Sequence, residues 1–393
     1  GDAEVLKAQA VDLVRSGPLE SDLKLFFAGD VMLGRGIDQV LPSPGNPRLY
    51  EHWRNITDAR EFVRRAQQKH GEIDSERDIA YVWGDALAEV TAFAPDLKLI
   101  NLETALTTHD RHWPEKPIHY RMNPQNIGVL QHAGIDFCAL ANNHVLDWDR
   151  AGLAETVRTL DAAGIRHAGG GVNRAGSESA AIFKVPGKGR VIVLSMGTRS
   201  SGIPSEWGAR DDRSGINLVD LRDARIDDIR ERLAHFTQPG DITVVSIHWG
   251  GNYEPVIPQD QREFARELIN RAGVDVVHGH SSHHVRGIEV YNDKLILYGC
   301  GDLVNDYEAN KKPPGVQKLA PDLGLMYFVR ISPETGHLTD LQMIPTKMHR
   351  LRVTRGDADD ADRLTAVLNR ECIELGTVVV NEGGTLHLKT MER

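Results

Sequence analysis

Asp30, Glu103, Asn143, His248, His280 and His283 carry carboxylate, amide and imidazole groups, the donors from which divalent-metal sites and acid–base pairs are built. Each follows a short apolar run. Lys24 to Gly29 leads into Asp30, Leu97 to Leu102 into Glu103, and Phe137 to Ala141 into Asn142-Asn143-His144. Thr243 to Ile247 leads into His248, and Val274 to Val277 into His278-Gly279-His280-Ser281-Ser282-His283-His284. Two divalent ions about 3.5 to 4 Å apart need a bridging carboxylate, further oxygen and imidazole ligands, and open positions for substrate and water. These six residues supply that set. Singly, each has a bland role: Asp30 could cap a helix starting near Gly34, Asn143 could hold a turn, and His248 could be a satisfied core histidine. Four histidines within residues 278–284 are seldom needed for packing, and the joint pattern favours a functional site.

Apolar runs of this length are buried strands, and open α/β sheets gather ligands beyond the carboxyl ends of their strands. The scattered residues therefore become one site. Segments with helical spacing, Ala80 to Phe93, Asn126 to Ala133, Gly152 to Ala163 and Gln259 to Arg271, alternate with the strands and predict a largely α/β core. From Leu325 onward the character changes. Leu325 to Ile331, a Pro-Glu-Thr-Gly turn at 333–336, Leu338 to Ile344 and Thr377 to Val380 read as hairpin strands. They predict a second, mostly antiparallel sheet packed on the first. The division expected is an N-terminal extension over 1–22, a catalytic core over 23–310, and a β-rich segment over 311–393 completing the second sheet. The proline-bearing stretch Leu41 to Pro47 and the glycine-rich Gly169 to Gly176 are loops bordering the site.

A chain of 393 residues, 40% hydrophobic and 26% charged, can bury a large core. Its net charge of -10, with no basic stretch, argues against nucleic acid as a partner. Cys138, Cys300 and Cys372 are odd in number and lack paired spacing, which fits a reducing compartment and buried thiols. No run is long enough for a membrane helix, and Gly1 to Val5 lacks the basic and apolar regions of a signal peptide. A cytoplasmic protein without a membrane segment is expected, although a start at Gly leaves room for a removed leader or anchor. Gly34-Arg35-Gly36 and Gly169-Gly170-Gly171 form neither a dinucleotide fingerprint nor a phosphate-cradling loop, and Ser195 and Ser246 lack a nucleophile elbow.

Five motifs, in order, resemble the CapA family, named for poly-γ-glutamate capsule biosynthesis. They are Gly29-Asp30-Val31-Met32-Leu33-Gly34-Arg35, Asn101-Leu102-Glu103, Ala141-Asn142-Asn143-His144, His248-Trp249-Gly250, and Gly279-His280 through Tyr291. That family is similar in fold to calcineurin-like metallophosphoesterases. The resemblance implies a four-layer α/β/β/α sandwich with mixed central sheets and two divalent ions, Mn, Zn or Fe. Asp30, Glu103 and His283 would surround one ion, with Glu103 bridging to a second held by Asn143, His248 and His280. His144 would donate a proton to the leaving group or stabilise the transition state, with Asp147 orienting it. Arg35 and Arg121 are candidate clamps for a substrate carboxylate or phosphate. Trp249, Trp113 and Tyr120 suggest an aromatic wall suited to a peptide or poly-glutamate-like substrate.

Two departures stand out. Metallophosphoesterases carry a histidine where Met32 stands, and Ser281-Ser282 interrupts the usual Gly-His-x-His ending. Three function classes follow. One is a metal-dependent hydrolase of a phosphoester, amide or γ-glutamyl bond. A second is a metal-independent peptide epimerase like some CapA-like proteins of lasso-peptide clusters, with Asp30 and His283 working across a peptide Cα. The third is a non-catalytic capsule-assembly subunit. The nearly full ligand set favours the first.

Overall fold

The chain's structure, a computed structural model, describes residues 2–14 and 17–391. Gly1 and the last two residues of the C-terminal segment lie outside it, as do residues 15 and 16 of the N-terminal extension.

The strand Leu23–Val31 is the hinge of the architecture. On one side it pairs in parallel with Leu97–Leu102, which pairs in parallel with Phe137–Ala139 and then Arg166–Ala168. On the other it pairs antiparallel with Leu323–Ile331, followed by Leu338–His349 and Thr385–Met391, where Ala10–Val11 closes the edge. A second mixed sheet runs Ala181–Val185, Gly189–Thr198, Ile242–His248, Val276–His280, Lys294–Leu297, Ile288–Tyr291.

Side chains alternate between the two faces of each strand, so a strand covered on both faces is apolar throughout. Leu23, Leu25, Phe27, Leu97, Leu99 and Phe137 face inward and meet Val191, Val193, Val244, Val276 and Leu297 of the second sheet in one core. Phe26, Ile100 and Cys138 face outward and pack with Ala86, Val90, Leu153 and Leu160 from the helices Ala86–Phe93 and Asp149–Ala162. Leu194, Val245 and Val277 meet Ile229, Leu233, Phe264 and Leu268 from the helices Asp223–Ala234 and Gln259–Ala272. The protein is a four-layer α/β/β/α sandwich with mixed central sheets.

The C-terminal hairpins form, but they do not build the second sheet. They widen the first, and the second consists of residues 181–297. The reason lies in Leu323–Ile331. Its Leu325, Tyr327 and Val329 face the inter-sheet core while Met326 and Phe328 face the outer cluster, and a strand apolar on both faces belongs inside the sandwich. All three cysteines are buried and unpaired. Among the described residues no helix is long and apolar enough to cross a membrane.

Candidate metal centre

Strand register delivers the donors. Asp30 lies opposite Asn101 on one neighbouring strand and Asp302 on the other, and in the second sheet His248 lies opposite His280. The parallel strands of both sheets open at one edge, where Asn143 and His144 follow Phe137–Ala139. Two glycines permit the close approach. A Cβ on Gly29 would lie 1.9 Å from the Gly301 carbonyl oxygen, and one on Gly279 would lie 2.5 Å from that of Tyr298.

Two donor groups result, and Asp30 belongs to both. In the first, Asp30, Glu103, His283 and Asp302 each bring a ligand atom, all within 4.8 Å of one another; in the second, Asp30 joins His248 and His280. Asn101 Nδ2 donates to Asp30 Oδ1 at 2.7 Å, yet Asp30 Oδ2 and both Glu103 oxygens are buried without a hydrogen-bond partner. Asp302 accepts from His283 Nδ1 at 2.9 Å and from Asn305 Nδ2 at 3.1 Å. Burial, then the Asp302 charge, pushes the Asp30 carboxyl up to about 7. Burial and the neighbouring Asp30 hold Glu103 well above the usual carboxylate range. Burial would also raise Asp302, but the His283 imidazolium outweighs it and leaves Asp302 low. Conversely Asp302 holds His283 protonated against the opposing effect of burial. One imidazolium thus faces three buried carboxyls, an arrangement that costs stability unless further positive charge enters.

The histidines of the second group are oriented by a relay that begins at a main-chain carbonyl. His278 Nε2 lies 2.7 Å from the Ala28 carbonyl oxygen, which can only accept, so this nitrogen carries the proton. Burial pushes His278 down to about 4, so the ring is neutral and its Nδ1 accepts from the Ser246 hydroxyl at 3.0 Å. With its hydrogen spent, Ser246 Oγ accepts from His280 Nε2 at 2.9 Å. His248 Nε2 donates to Asn143 Oδ1 at 3.1 Å. Burial holds both His248 and His280 well below the usual imidazole range, hence neutral, and each is left with a bare Nδ1. These two lone-pair nitrogens are 2.7 Å apart. Facing lone pairs repel unless a cation lies beside them, and with the orphaned carboxylate oxygens they fit a divalent ion. Ser246→Ala should therefore weaken metal binding about 10- to 100-fold while leaving the fold intact, measurable by titration of metal into chelator-treated protein.

Five of the six expected ligands fall in these two groups, and the sixth, Asn143, touches them through His248 Nε2. Asp30 is the residue shared between the groups, whereas Glu103 falls in the first alone, its Oε1 3.9 Å from His248 Nε2. Met32 is buried in the core, its sulfur accepting from the Gly34 N–H at 3.2 Å, and Asp302 joins the first group as an additional ligand. Asp302 opens the short strand Asp302–Val304 rather than ending one, and its register opposite Asp30 is what brings it to the site. Ser281 and His283 adopt φ of 101° and 58°, so the loop that carries His283 is held in strained backbone.

His144 stands beside the cluster. Its Nδ1 is 2.5 Å from Asp147 Oδ2, and Asp147 also receives the Tyr120 N–H at 2.8 Å and the Lys116 ammonium. Burial, then Lys116, holds His144 neutral, so with Nδ1 donating to Asp147 its Nε2 carries the lone pair. Lys116, which also donates to the Asn143 carbonyl, lies between Trp113 and Pro117, and nothing in that local sequence marks it as facing Asp147.

The expected substrate contacts are committed elsewhere. Arg35 is buried, with Nε and Nη2 donating to Asp306 at 2.8 and 2.5 Å and Nη1 to Glu51 at 2.6 Å. Arg121 lies over the Trp148 ring and donates to the His109 carbonyl at 2.8 Å and to Asp110 at 2.9 Å. Trp249 is core, its indole N–H donating to the Tyr298 carbonyl at 2.9 Å. Sequence shows that a residue is cationic or aromatic, but not that buried acids or carbonyls claim it first. Arg35→Ala should cost about 3 to 5 kcal/mol of stability by stranding two buried carboxylates, read as a fall in the denaturation midpoint.

A four-layer sandwich with a buried carboxylate–imidazole cluster at its strand ends is a metallophosphoesterase-like protein. Residues 24–307 match the model of the bacterial capsule synthesis proteins, PGA_cap, and the chain belongs to that family. It is 41% identical over 365 residues to a Mycobacterium tuberculosis protein named "probable polyglutamine synthesis accessory protein", covering 92% of this chain and 94% of that one. It is 25% identical over 287 residues to the PGA biosynthesis protein CapA of Bacillus subtilis, covering 72% of this chain and 63% of the relative. With the capsule biosynthesis protein CapA of Bacillus anthracis it shares 22% over 306 residues, 77% of this chain and 64% of that protein.

Proposed function

We propose that the protein is a metal-dependent hydrolase of a peptide or γ-glutamyl bond, acting on a poly-glutamate-like chain. The observation that carries this reading is the pair of bare ring nitrogens, His248 Nδ1 and His280 Nδ1, 2.7 Å apart beside the shared Asp30. Asp30, Glu103, His283 and Asp302 would hold one ion, and Asp30, His248 and His280 a second, from among Mn, Zn and Fe, while Asn143 Oδ1 fixes the His248 ring by accepting from its Nε2. Bound there, the ions would polarise the scissile carbonyl and acidify the attacking water. His144 Nε2 takes up a proton from that water and returns it to the departing amine nitrogen, while Asp147 fixes the ring's tautomer. The relatives' names, which concern polyglutamine and PGA synthesis, support the choice of substrate. A cytoplasmic location goes with this reading, supported by three buried, unpaired cysteines.

A second reading draws on one observation. Protonated His283 lies 3.7 Å from Asp30 Oδ2, an acid–base pair able to invert a peptide Cα without metal. γ-Linked glutamate oligomers offered to chelator-stripped and metal-reloaded protein separate the readings. New amine ends that require metal support hydrolysis. D/L inversion without metal would replace it with epimerisation, and neither reaction would leave the non-catalytic accessory role.

A further inference from the structure

Beside Asp302 opens a cavity of about 270 Å³, walled by Asp302, Asn305, Tyr307, Lys69, Lys312 and His349 among others. The metal centre does not use its two outer cations. Lys312 is half-buried, and among the described residues its one polar contact is the Tyr253 hydroxyl at 3.4 Å. Its Nζ lies 5.7 Å from the Tyr253 ring centre and 5.3 Å from that of Tyr307. The same two rings lie 6.0 and 5.9 Å from the ring of His283, so Lys312 and the centre share one aromatic wall.

Among the described residues no carboxylate pairs with Lys312. Asp302 is engaged by His283 and Asn305, and Asp322 by Arg363 at 2.9 Å. A third lysine of the wall, Lys347, pairs with Asp360 at 2.7 Å and is accounted for. Lys69, which is exposed, meets only the Glu308 carbonyl among the described residues, at 2.5 Å. Lys69 lines the same cavity, and burial holds the Lys312 pKa below the usual lysine value, with the charges of Asp302 and Asp322 opposing and Lys69 adding a smaller push downward. Two lysines with no carboxylate at ion-pair distance among the described residues, in a cavity that Asp302 of the centre borders, are arranged for an anion that is not part of the chain.

We infer that Lys312 and Lys69 form a subsite for an anionic group carried by the substrate, and that this group is a carboxylate. The inference rests on the centre beside Asp302 being where substrate is bound. A chain of glutamates suits it, because each residue presents a carboxylate that can be seated here while a neighbouring linkage reaches the centre. A phosphate shares the charge and the acceptor oxygens, so the test must separate the two.

The test is calorimetric binding of γ-linked triglutamate, and of the same oligomer with its side carboxylates amidated, to the metal-loaded full chain and its variants. Lys312→Ala should weaken triglutamate binding about tenfold or more, as expected for a lost charged hydrogen bond, without changing affinity for the amidated oligomer or metal content. Lys312→Arg should recover most of the loss. Lys69→Ala should weaken the same ligand by a smaller factor, an independent check if Lys312→Ala unfolds. Inorganic phosphate should compete only weakly.

Equal triglutamate affinity in wild type and Lys312→Ala, or no binding by wild type, would overturn the subsite. Displacement by phosphate at lower concentration than by triglutamate would overturn the carboxylate assignment. Binding is read without turnover. A protein that binds as described but releases no new amine would refute hydrolysis and leave the subsite standing.

Discussion

Asp30→Asn should empty the centre of metal and abolish turnover, yet make the metal-free fold more stable. Asp30 is the one residue in both donor groups, so its loss removes a ligand from each. A fall in activity of at least about 10³-fold is expected from the loss of metal-ion catalysis. The opposite sign in the metal-free protein follows from burial. With its pKa pushed from 3.8 up to about 7, the carboxyl is disfavoured in its charged form by the fold. Its contribution to stability is complete below the unfolded pKa and is lost as pH rises through the folded one. Chelator-treated wild type should therefore lose stability between about pH 4 and pH 7, by about 4 kcal/mol from this group, and the variant should lose less. Metal should reverse the trend, because the ion binds the ionised carboxylates. Thermal unfolding across that window, with and without metal, reads both effects. A variant that keeps its metal, or is less stable than wild type when stripped, would contradict the shared role.

His144→Ala should do the reverse, leaving metal bound while lowering turnover about 10²- to 10⁴-fold, the usual worth of a positioned acid–base group. Its ring nitrogens belong to neither donor group, and its partner is Asp147 at 2.5 Å. Asp147→Asn should give a partial loss through the wrong tautomer, and it also takes a partner from Lys116. Elemental analysis alongside turnover separates this pair from the ligands. Equal losses of metal and activity in His144→Ala would place His144 among the ligands instead.

Much of the centre was legible in sequence because strand ends are. A run such as Thr243 to Ile247 must be buried, and the polar residue that stops it must sit at the sheet's edge, whichever strands lie next to it. Strand order is not written locally, which is why the run Leu325 to Ile331 reads as part of a second sheet although the two apolar faces of the strand Leu323–Ile331 seat it beside Leu23–Val31. The same limit hid the relay. Ser246 and His278 alternate with the ligands His248 and His280 along their strands, but only the parallel register sets Ser246 opposite His278 and aligns the chain of bonds. Arg35 and Arg121 show the converse, since a charge seen in sequence carries no sign of the buried acid or carbonyl that holds it. Asp302 escaped the strand-end rule because it opens a strand, Asp302–Val304, and is placed by its parallel pairing with Asp30.

The metal claim is tested most directly by elemental analysis of untagged protein purified without chelator, repeated after stripping and reloading with Mn, Zn or Fe. About two equivalents per chain are expected of a binuclear centre, with a matching loss in Asp30→Asn. No metal in either preparation would contradict it, and His283 with Asp30 would then stand as acid and base.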